Sequence, residues 1–473
     1  MDSIPVKALS ITETRQVQRR TESSQDLYAD RQTLLDVEID KCTTIIVGRN
    51  AGTQGPMTTH TADCSDCDFR IAKTPARDWK PGSMRPLYLY KNNYPATITT
   101  ERGTTWHPNN LEGTSEQLAA WGTESTVLGY IPQVAHTYAL YEAGYGIMNE
   151  HQVAIGESTC AAIFWAAPKS AGGTAMIEVR EMSKLALERT TTAREAVLLM
   201  GALAEQYGFY AADWSGGDAS KGEGGETLTV VDKNEAWVFH VLADDTGSSA
   251  VWVAQRVPDD HVAAIANQFI IRYIDTSSPD FLYSTTLFDV AHRNNLYNPE
   301  RDGPHLDFLK TFAPARAHSP YVTRRVWRVF SLVAPSYVDA VKLSPFTDPY
   351  ASEYPFSVKP DVPLAPQDLM RIQRDHYEGS QFDLTKGLAA GPYGDPNRWD
   401  STPVDNLTRA DIIQGSFDRP ISMFRTSYSI VAVARASVPD QLALVWICQY
   451  APSSSSYAPF YVSAAAVPLP YSR

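Results

Sequence analysis

The stretch Cys42-Thr43-Thr44-Ile45-Ile46-Val47-Gly48 places a cysteine directly before a run of β-branched residues. β-Branched side chains favour extended backbone, so this run predicts a strand. A glycine-rich turn follows over residues 48–55, and Met57-Thr58-Thr59-His60-Thr61 has the pattern of a second short strand. The sequence therefore predicts a β-hairpin with Cys42 at its open end.

Further strands and one well-marked helix are distributed along the rest of the chain. Thr192 and Glu195 form a helix-capping pair, the residues after them are apolar, and Gly208 is suited to end the helix. Residues 276–400 are rich in Pro, Tyr and polar residues, and we interpret them as an irregular region that lines a site, with a helix at 366–376. The other predicted strands are 153–155, 228–231, 236–241, 251–257, 427–435 and 442–449.

The charge of the chain excludes some classes of partner. Its 473 residues include 41 Lys and Arg against 54 Asp and Glu, which gives a net charge of −13. A negative protein is repelled by nucleic acid and by anionic lipid, so we expect neither as a partner. The sequence also lacks the run of about 18 apolar residues that a membrane helix needs. Its first residues lack the apolar region of a secretory signal, so the expected location is cytoplasmic.

The cysteines argue against a disulfide scaffold and against a metal centre. There are 5 of them, which is few for the length and odd in number. Cys64-Ser65-Asp66-Cys67 is a CxxC motif that suits half of a zinc site or a redox pair, but no second CxxC or His-x-x-x-His supplies further ligands. We therefore assign no metal and no cofactor.

Residues 1–41 differ in composition from the rest, with many charged residues and neither Gly nor Trp. We interpret them as a separable arm, a removable propeptide, and residues 42–473 as the main domain. If the Lys41–Cys42 bond is cut, Cys42 gains an α-amine with a reference pKa of about 7.7–8.0. Such an amine can act as general base for the thiol of the same residue. The alternative is that Cys42 is a small buried side chain ahead of a strand.

Several ordered blocks carry a resemblance to a known family. They are CTTIIVG (42–48), MTTHTAD (57–63), MNEHQVAIGES (148–158), EAWV (235–238), WVAQRVPDD (252–260), AN (266–267), RDHYEG (374–379), GPYGDPNR (391–398) and SMFRTS (422–427). In these blocks the chain resembles the dipeptidase A family, which are cysteine-type dipeptidases of the N-terminal-nucleophile (Ntn) hydrolase superfamily. The arm lies outside the resemblance.

The resemblance implies an α+β fold, a four-layer αββα Ntn sandwich, and cleavage of dipeptides without a metal. It implies that Cys42 is the nucleophile and that Asp63 holds its α-amine. Asn149 matches an asparagine whose amide can donate to the oxyanion, although it would also suit a turn. Asn267 resembles a second polar group near the oxyanion, although it would also suit the end of a strand.

Substrate-binding residues follow less directly from the resemblance. Bile-salt and penicillin V acylases of the same superfamily carry an Arg where this chain has His60, which leaves open which group lowers the pKa of the thiol. We place His60, Arg328 and Arg398 among the substrate-binding candidates. Arg324 and Arg325 are further candidates to supply positive charge, although arginines so close together are often paired structurally.

Two rival functions remain at this stage. The first is a non-peptide amidase of the bile-salt or penicillin V acylase type, because only the pocket would differ. The second is a non-catalytic relative that binds its partner without hydrolysis. A homo-oligomer is possible under each reading.

Overall fold

The computed structural model describes residues 42–64, 67–91, 93–212, 224–314, 320–346, 350–397 and 419–472. The strands, in chain order, are β1 Thr44–Val47, β2 Met57–Asp63, β3 Ala72–Thr74, β4 Arg77–Asp78, β5 Met84–Tyr88, β6 Val127–Pro132, β7 His136–Thr137, β8 Leu140–Glu142, β9 Gly146–Asn149, β10 Ala154–Cys160, β11 Gly225–Val231, β12 Ala236–Ala243, β13 Ala250–Arg256, β14 Val262–Ile265, β15 Phe281–Tyr283, β16 Thr426–Val433, β17 Leu444–Gln449 and β18 Ala458–Tyr461.

The α-helices are mostly short. They are α1 Ser115–Trp121, α2 Val179–Arg189, α3 Ala193–Tyr207, α4 Leu287–Arg293, α5 Pro299–Asp302, α6 Phe308–Phe312, α7 Pro320–Val333, α8 Pro335–Val341, α9 Pro366–Ile372, α10 Gly387–Ala390 and α11 Leu469–Ser472. Single 3₁₀ turns lie at Thr104–Trp106, Pro108–Asn110, Lys169–Ala171 and Asp440–Leu442.

Two large antiparallel sheets organise the fold. Sheet I has the strand order β14-β1-β2-β16-β17-β18, and sheet II has the order β15-β13-β12-β11-β10-β9-β8-β3. Two-stranded ribbons pair β4 with β7 and β5 with β6. Together with the helices, these sheets confirm the predicted α+β class.

The predicted hairpin at Cys42 is present in sheet I. Strand β1 pairs antiparallel with β2 through Ile46 opposite Thr58 and Val47 opposite Met57. Its other edge pairs with β14, so β1 is bonded on both sides. The strand pair predicted near the C-terminus, β16 and β17, is also confirmed, and β16 pairs with β2. Cys42 therefore lies just before a strand that has a neighbouring strand on each side in sheet I.

Alternate residues of each sheet face different layers, as the period of a strand requires. Ile46 and Ile430 of sheet I share one apolar core with Val238 and Val253 of sheet II, so the two sheets pack face to face. The opposite face of sheet I, including Ile45, packs on apolar residues of α7 and α9. The opposite face of sheet II packs on α2 and α3.

The predicted helix at Thr192 is confirmed, whereas the interpretation of residues 276–400 as irregular is only partly right. Thr192 caps α3 by accepting from the Glu195 backbone N–H at 3.2 Å, and Gly208 ends it with a φ of 71°. The helix predicted at 366–376 is shorter, Pro366–Ile372. Helix α7 is not predicted from the sequence, because this region is as rich in proline as a loop. In the structure Pro320 and Pro335 are the first residues of α7 and α8, a position that suits proline.

Among the described residues, no helix is long and apolar enough to cross a membrane.

Candidate active site

The backbone at Cys42 is fixed by the hairpin that follows it. The Thr43 N–H donates to Thr61 Oγ1 at 3.0 Å, and the Thr61 N–H donates to the Thr43 carbonyl at 3.2 Å. These bonds join the first residues of the hairpin to the far end of β2. Cys42 itself is fully buried. Its side chain is therefore held in the interior, at the point where the main domain begins.

The Cys42 thiol lies beside a buried imidazole and a buried carboxylate. His60, on β2, places Nε2 3.3 Å from Cys42 Sγ. Glu157, on β10 of sheet II, places Oε2 3.3 Å from the same nitrogen. Both side chains are almost completely buried. The rings of Tyr145 and Tyr428 meet the His60 ring edge to face at centroid distances of 5.0 and 5.6 Å. Sheets I and II thus bring a thiol, an imidazole and a carboxylate together.

The Cys42 carbonyl oxygen is held from two directions. Arg325, on α7, donates to this oxygen at 3.0 Å and to Thr43 Oγ1 at 2.8 Å through Nη1. The Ser158 hydroxyl donates to the same carbonyl at 3.3 Å. The second guanidinium nitrogen of Arg325 reaches the Ala266 carbonyl at 3.2 Å. Arg325, one of the arginines named from the sequence, therefore contacts Cys42 directly.

Asn267 lies in the same cluster as Arg325. Its Oδ1 accepts from Arg325 at 2.7 Å and from Arg419 at 2.8 Å. Its Nδ2 donates to the Thr159 carbonyl at 2.8 Å, and its backbone N–H donates to Ser158 Oγ at 3.0 Å. The backbone of Asn267 has a positive φ of 66°, a conformation that Asn tolerates better than most residues. An amide nitrogen carries two N–H groups, and the hydrogen bond to Thr159 uses one of them.

Asp63, at the end of β2, belongs to this cluster through Arg419. Its carboxylate accepts from an Arg419 guanidinium nitrogen, from Thr426 Oγ1 at 2.7 Å and from Thr61 Oγ1 at 3.0 Å. Complete burial raises the pKa of Asp63, and Arg419 with the two hydroxyls opposes that rise. Asp63 is thus linked through Arg419 to Asn267, and through Thr61 to the first bonds of the hairpin.

Asn149 is not brought to Cys42. Its Nδ2 donates to the carbonyls of Leu187 and Thr190, both at 2.9 Å, at the end of α2. Its Oδ1 accepts from the backbone N–H groups of His151 and Val153, both at 3.0 Å. Both amide hydrogens are used, so this side chain has none for an oxyanion. These bonds suit a turn residue, the alternative that the sequence also allowed, and the oxyanion role of Asn149 stays a prediction.

Arg328, one of the predicted substrate-binding residues, is paired with groups of the protein itself. Arg328 makes two hydrogen bonds to Asp375, at 2.8 and 2.6 Å, and donates to the Glu378 carbonyl at 2.7 Å. This pairing is structural and leaves the guanidinium little capacity for a substrate carboxylate. Arg324 stacks on the Phe382 ring, with the guanidinium carbon 4.0 Å from the ring centre. Arg398 lies outside the described residues.

The two cysteines of the CxxC motif are paired with each other. Cys64 and Cys67 form a disulfide, with Cα atoms 5.6 Å apart. Cys64 directly follows Asp63, and its carbonyl accepts from Ser427 Oγ at 2.8 Å.

The candidate site also contains the donor types of a metal centre. Ligand atoms of Cys42, His60 and Glu157 all lie within 4.8 Å of one another. Sulfur, imidazole nitrogen and carboxylate oxygen are all used by Zn²⁺. Chelation is therefore a necessary control in any test of this site.

Three residues of the cluster were missed or underweighted at the sequence level. Glu157 interrupts the apolar strand β10, and a carboxylate in a buried strand needs a partner, which is a signal that was available. Arg419 carries no local pattern that marks it. Arg325 was named, but nothing in the sequence separates it from Arg324 and Arg328.

Comparisons with known proteins identify the family to which the chain belongs. The profile of peptidase family C69 matches residues 41–473. A protein named probable dipeptidase A from Streptococcus pyogenes serotype M3 is 25% identical over 437 residues, which cover 90% of this chain and 77% of that protein. A probable dipeptidase from Latilactobacillus sakei is 27% identical over 285 residues, 60% of this chain and 50% of the relative. The matched part thus spans only half the length of that relative. Because the family profile covers nearly the whole chain, this protein belongs to peptidase family C69.

Proposed function

We propose that the protein is a dipeptidase that cleaves peptide bonds through an acyl-enzyme on Cys42, after residues 1–41 have been removed. The observation that carries this proposal is the buried thiol of Cys42, 3.3 Å from His60 Nε2 at the start of the hairpin. The names of the relatives support dipeptides as the substrate class. We further propose that the two packed sheets and their outer helices are the four layers of an Ntn-hydrolase sandwich.

The proposed reaction begins at an N-terminal Cys42. The α-amine takes the thiol proton, and the sulfur attacks the carbonyl carbon of the scissile peptide bond. When the C–N bond breaks, the amine returns that proton to the leaving amino group, and a thioester remains on Cys42. The same amine then deprotonates a water molecule, which attacks the thioester. The second amino acid is released, and Cys42 regains its free thiol.

We assign stabilisation of the tetrahedral oxyanion to Asn267. Its Nδ2 has one N–H bonded to the Thr159 carbonyl, and among the described residues no hydrogen bond of the other N–H is seen. The two arginines on its Oδ1 fix the amide plane and polarise it. A donor of this kind contributes about 2.7–4 kcal/mol to transition-state stabilisation.

Replacement of the nucleophile tests the proposed function. The variant Cys42→Ala should remain folded and should lose hydrolysis of a panel of dipeptides, because no other atom can carry the acyl group. Cys448→Ala, which removes another buried thiol, is the matched control and should keep most of its activity. Retention of more than a few per cent of turnover in Cys42→Ala would contradict the acyl-enzyme.

Chelation separates this proposal from a metal-dependent reaction. Prolonged dialysis against EDTA should leave the rate of dipeptide hydrolysis unchanged. A loss of activity that Zn²⁺ restores would instead assign the thiol, imidazole and carboxylate to a metal centre.

A further inference from the structure

Three possible metal ligands meet at the open end of the hairpin, and their spacing suits one small ion. His60 Nε2 lies 3.3 Å from Cys42 Sγ and 3.3 Å from Glu157 Oε2, and the ligand atoms of the three residues all lie within 4.8 Å of one another. In a tetrahedral zinc site, bonds of about 2.0–2.3 Å place neighbouring ligand atoms about 3.3–3.8 Å apart. Two of the three separations already agree with this geometry, and the third needs to shorten by at most about 1 Å.

The chemistry of the three donors selects zinc over the common hard cations. Thiolate, imidazole nitrogen and carboxylate oxygen are all ligands of Zn²⁺, whereas Mg²⁺ and Ca²⁺ take oxygen ligands. His60 lies on β2, Glu157 lies on β10, and Cys42 directly precedes β1. Residues on strands are held more precisely than residues on loops, so the sheets keep these donors close together.

Neighbouring groups orient two of the three ligands. The Thr159 hydroxyl donates to Glu157 Oε1 at 3.1 Å, and Oε2 of the same carboxylate faces His60. The rings of Tyr145 and Tyr428 pack edge to face on the imidazole. Outer contacts of this kind fix the orientation of metal ligands, and their loss typically costs about 10–100-fold in metal affinity.

Removal of residues 1–41 adds a fourth donor at the same place. The new α-amine of Cys42 is separated from its thiolate only by Cα and Cβ, so one ion bound to both closes a small chelate ring. With Lys41 attached, the same nitrogen is an amide whose lone pair is delocalised into the carbonyl group, which makes it a poor ligand. The cut that frees the catalytic amine therefore also completes a site with four ligands.

We propose that, in the chain that begins at Cys42, Zn²⁺ binds to the Cys42 α-amine and thiolate, to His60 Nε2 and to Glu157 Oε2, and that the bound ion inhibits the peptidase. On binding, the thiol releases its proton to solvent and the sulfur donates an electron pair to the metal. The ion then occupies both the nucleophile and the base of the reaction. This inference rests on the proposed function, which supplies the free amine, and the metal-free protein is the active form.

Zinc binding is measured on protein expressed from Cys42, without a substrate, by competition with a chromogenic chelator. One Zn²⁺ should bind tightly per chain, dipeptide hydrolysis should fall in parallel, and EDTA should restore it. Mg²⁺ and Ca²⁺ at the same concentration should have neither effect. His60→Gln and Glu157→Gln should each weaken Zn²⁺ binding about 100-fold or more, because a ligand is lost rather than an outer contact. Cys448→Ala removes another buried thiol and should bind Zn²⁺ like the wild type.

Two comparisons do not depend on the folding of the ligand variants. Zn²⁺ should protect Cys42 from iodoacetamide, as measured by mass spectrometry of the peptide that contains it. Protein that begins at Cys42 should bind Zn²⁺ about 100-fold or more tightly than the chain with an intact Lys41–Cys42 bond, which lacks the amine ligand. Equal affinity of the two forms would overturn the proposal, as would alkylation of Cys42 at zinc saturation or unchanged affinity in Glu157→Gln.

The outcome is separable from that of the proposed function. Tight zinc binding that protects Cys42 in a protein that cleaves no dipeptide would support the zinc site and contradict the dipeptidase. Hydrolysis of dipeptides that Zn²⁺ does not inhibit would do the reverse.

Discussion

Asn149 and Asn267 make different sets of hydrogen bonds, and on these bonds we propose different roles for the two residues. Asn149 uses both amide hydrogens on the carbonyls at the end of α2. Asn267 uses one and stands beside Arg325, which holds Cys42. Sequence position alone favoured Asn149, whereas hydrogen-bond accounting favours Asn267. The two residues therefore form a matched pair for mutation.

Replacement of each asparagine by alanine should separate catalysis from stability. Asn267→Ala should lower kcat roughly 10²-fold or more, because an oxyanion donor acts in the transition state. Asn149→Ala should lower the free energy of unfolding by about 1–3 kcal/mol or more, because the buried backbone groups that bond to the Asn149 side chain lose their partner. Steady-state kinetics and urea unfolding measure the two effects. A drop in kcat for Asn149→Ala without a loss of stability would restore its predicted catalytic role.

His240 should make the protein sensitive to acid. Its Nε2 accepts from the backbone N–H groups of Ile270 and Ile271, at 3.0 and 3.2 Å, just after Asn267. Burial lowers its pKa to about 3. The unfolded chain, with a His pKa near 6.5, binds this proton first, so stability is complete above about pH 6.5 and falls as the pH drops from there towards 3. The loss should be on the order of a few kcal/mol.

Urea unfolding between pH 7 and pH 4 checks this expectation. His240→Gln should be less stable than wild type at pH 7 but should lose less stability on acidification. The exposed His305→Gln serves as the control and should follow the wild-type pH dependence. Parallel curves for wild type and His240→Gln would contradict the assignment.

At the scale of elements, the site depends on how closely the two sheets approach. A Cβ atom added at Gly156 on β10 would lie 2.2 Å from the Thr59 carbonyl oxygen and 2.7 Å from both Thr44 Oγ1 and Thr229 Oγ1. The last two hydroxyls bond to each other at 3.0 Å across the sheets. Gly156 therefore lets β10 reach sheet I, and Glu157 follows it in sequence.

Gly156→Ala should push β10 away from the hairpin. The overpacking should cost about 1–3 kcal/mol of stability, and the displaced Glu157 should also lower kcat. Gly144→Ala is a suitable control, because the only atom within 4 Å of its added Cβ is the Tyr428 hydroxyl, at 4.0 Å. Thermal unfolding and dipeptide kinetics give both readouts. If Gly156→Ala keeps the stability and the kcat of the wild type, the two sheets can move apart at this point without harm to the site.

Local elements could be predicted from the sequence, whereas contacts between distant elements could not. The hairpin at Cys42 and the Thr192 cap depend on neighbouring residues, whose pattern is visible in the chain. The bond from Arg325 to the Cys42 carbonyl joins residues 283 positions apart, and that from Arg419 to Asp63 joins residues 356 apart. No local periodicity encodes such pairs. The resemblance to a family marked Cys42, Asp63 and Asn267 but could not show that Arg328 pairs with Asp375.

At the scale of the whole molecule, the proposed reaction needs a free amine at Cys42. The family profile covers residues 41–473. With Lys41 attached, the Cys42 nitrogen is an amide without useful basicity.

Activity should therefore appear in step with the loss of residues 1–41. Intact-mass measurement and N-terminal sequencing, taken alongside the rate of dipeptide hydrolysis, follow both events in one sample. Protein expressed from Cys42 after removal of the initiator Met should be active at once, whereas the chain with an intact Lys41–Cys42 bond should be inactive. Equal rates for both forms would rule out the N-terminal amine as the base.

The two donors on the Cys42 carbonyl, Arg325 and Ser158, have a consequence for the entropy of the reaction. With this carbonyl and the Thr43 N–H both held, rotation about the Cα–Cβ bond is the main freedom left to the nucleophile. The Cys42 side chain then needs little further ordering before it attacks a bound substrate. Groups that are oriented in advance in this way react with a high effective molarity. A serine at this position would place its oxygen by rotation about the same Cα–Cβ bond. The rate difference between Cys42 and Cys42→Ser should consequently report the chemistry of sulfur against oxygen, with the orientational contribution cancelled.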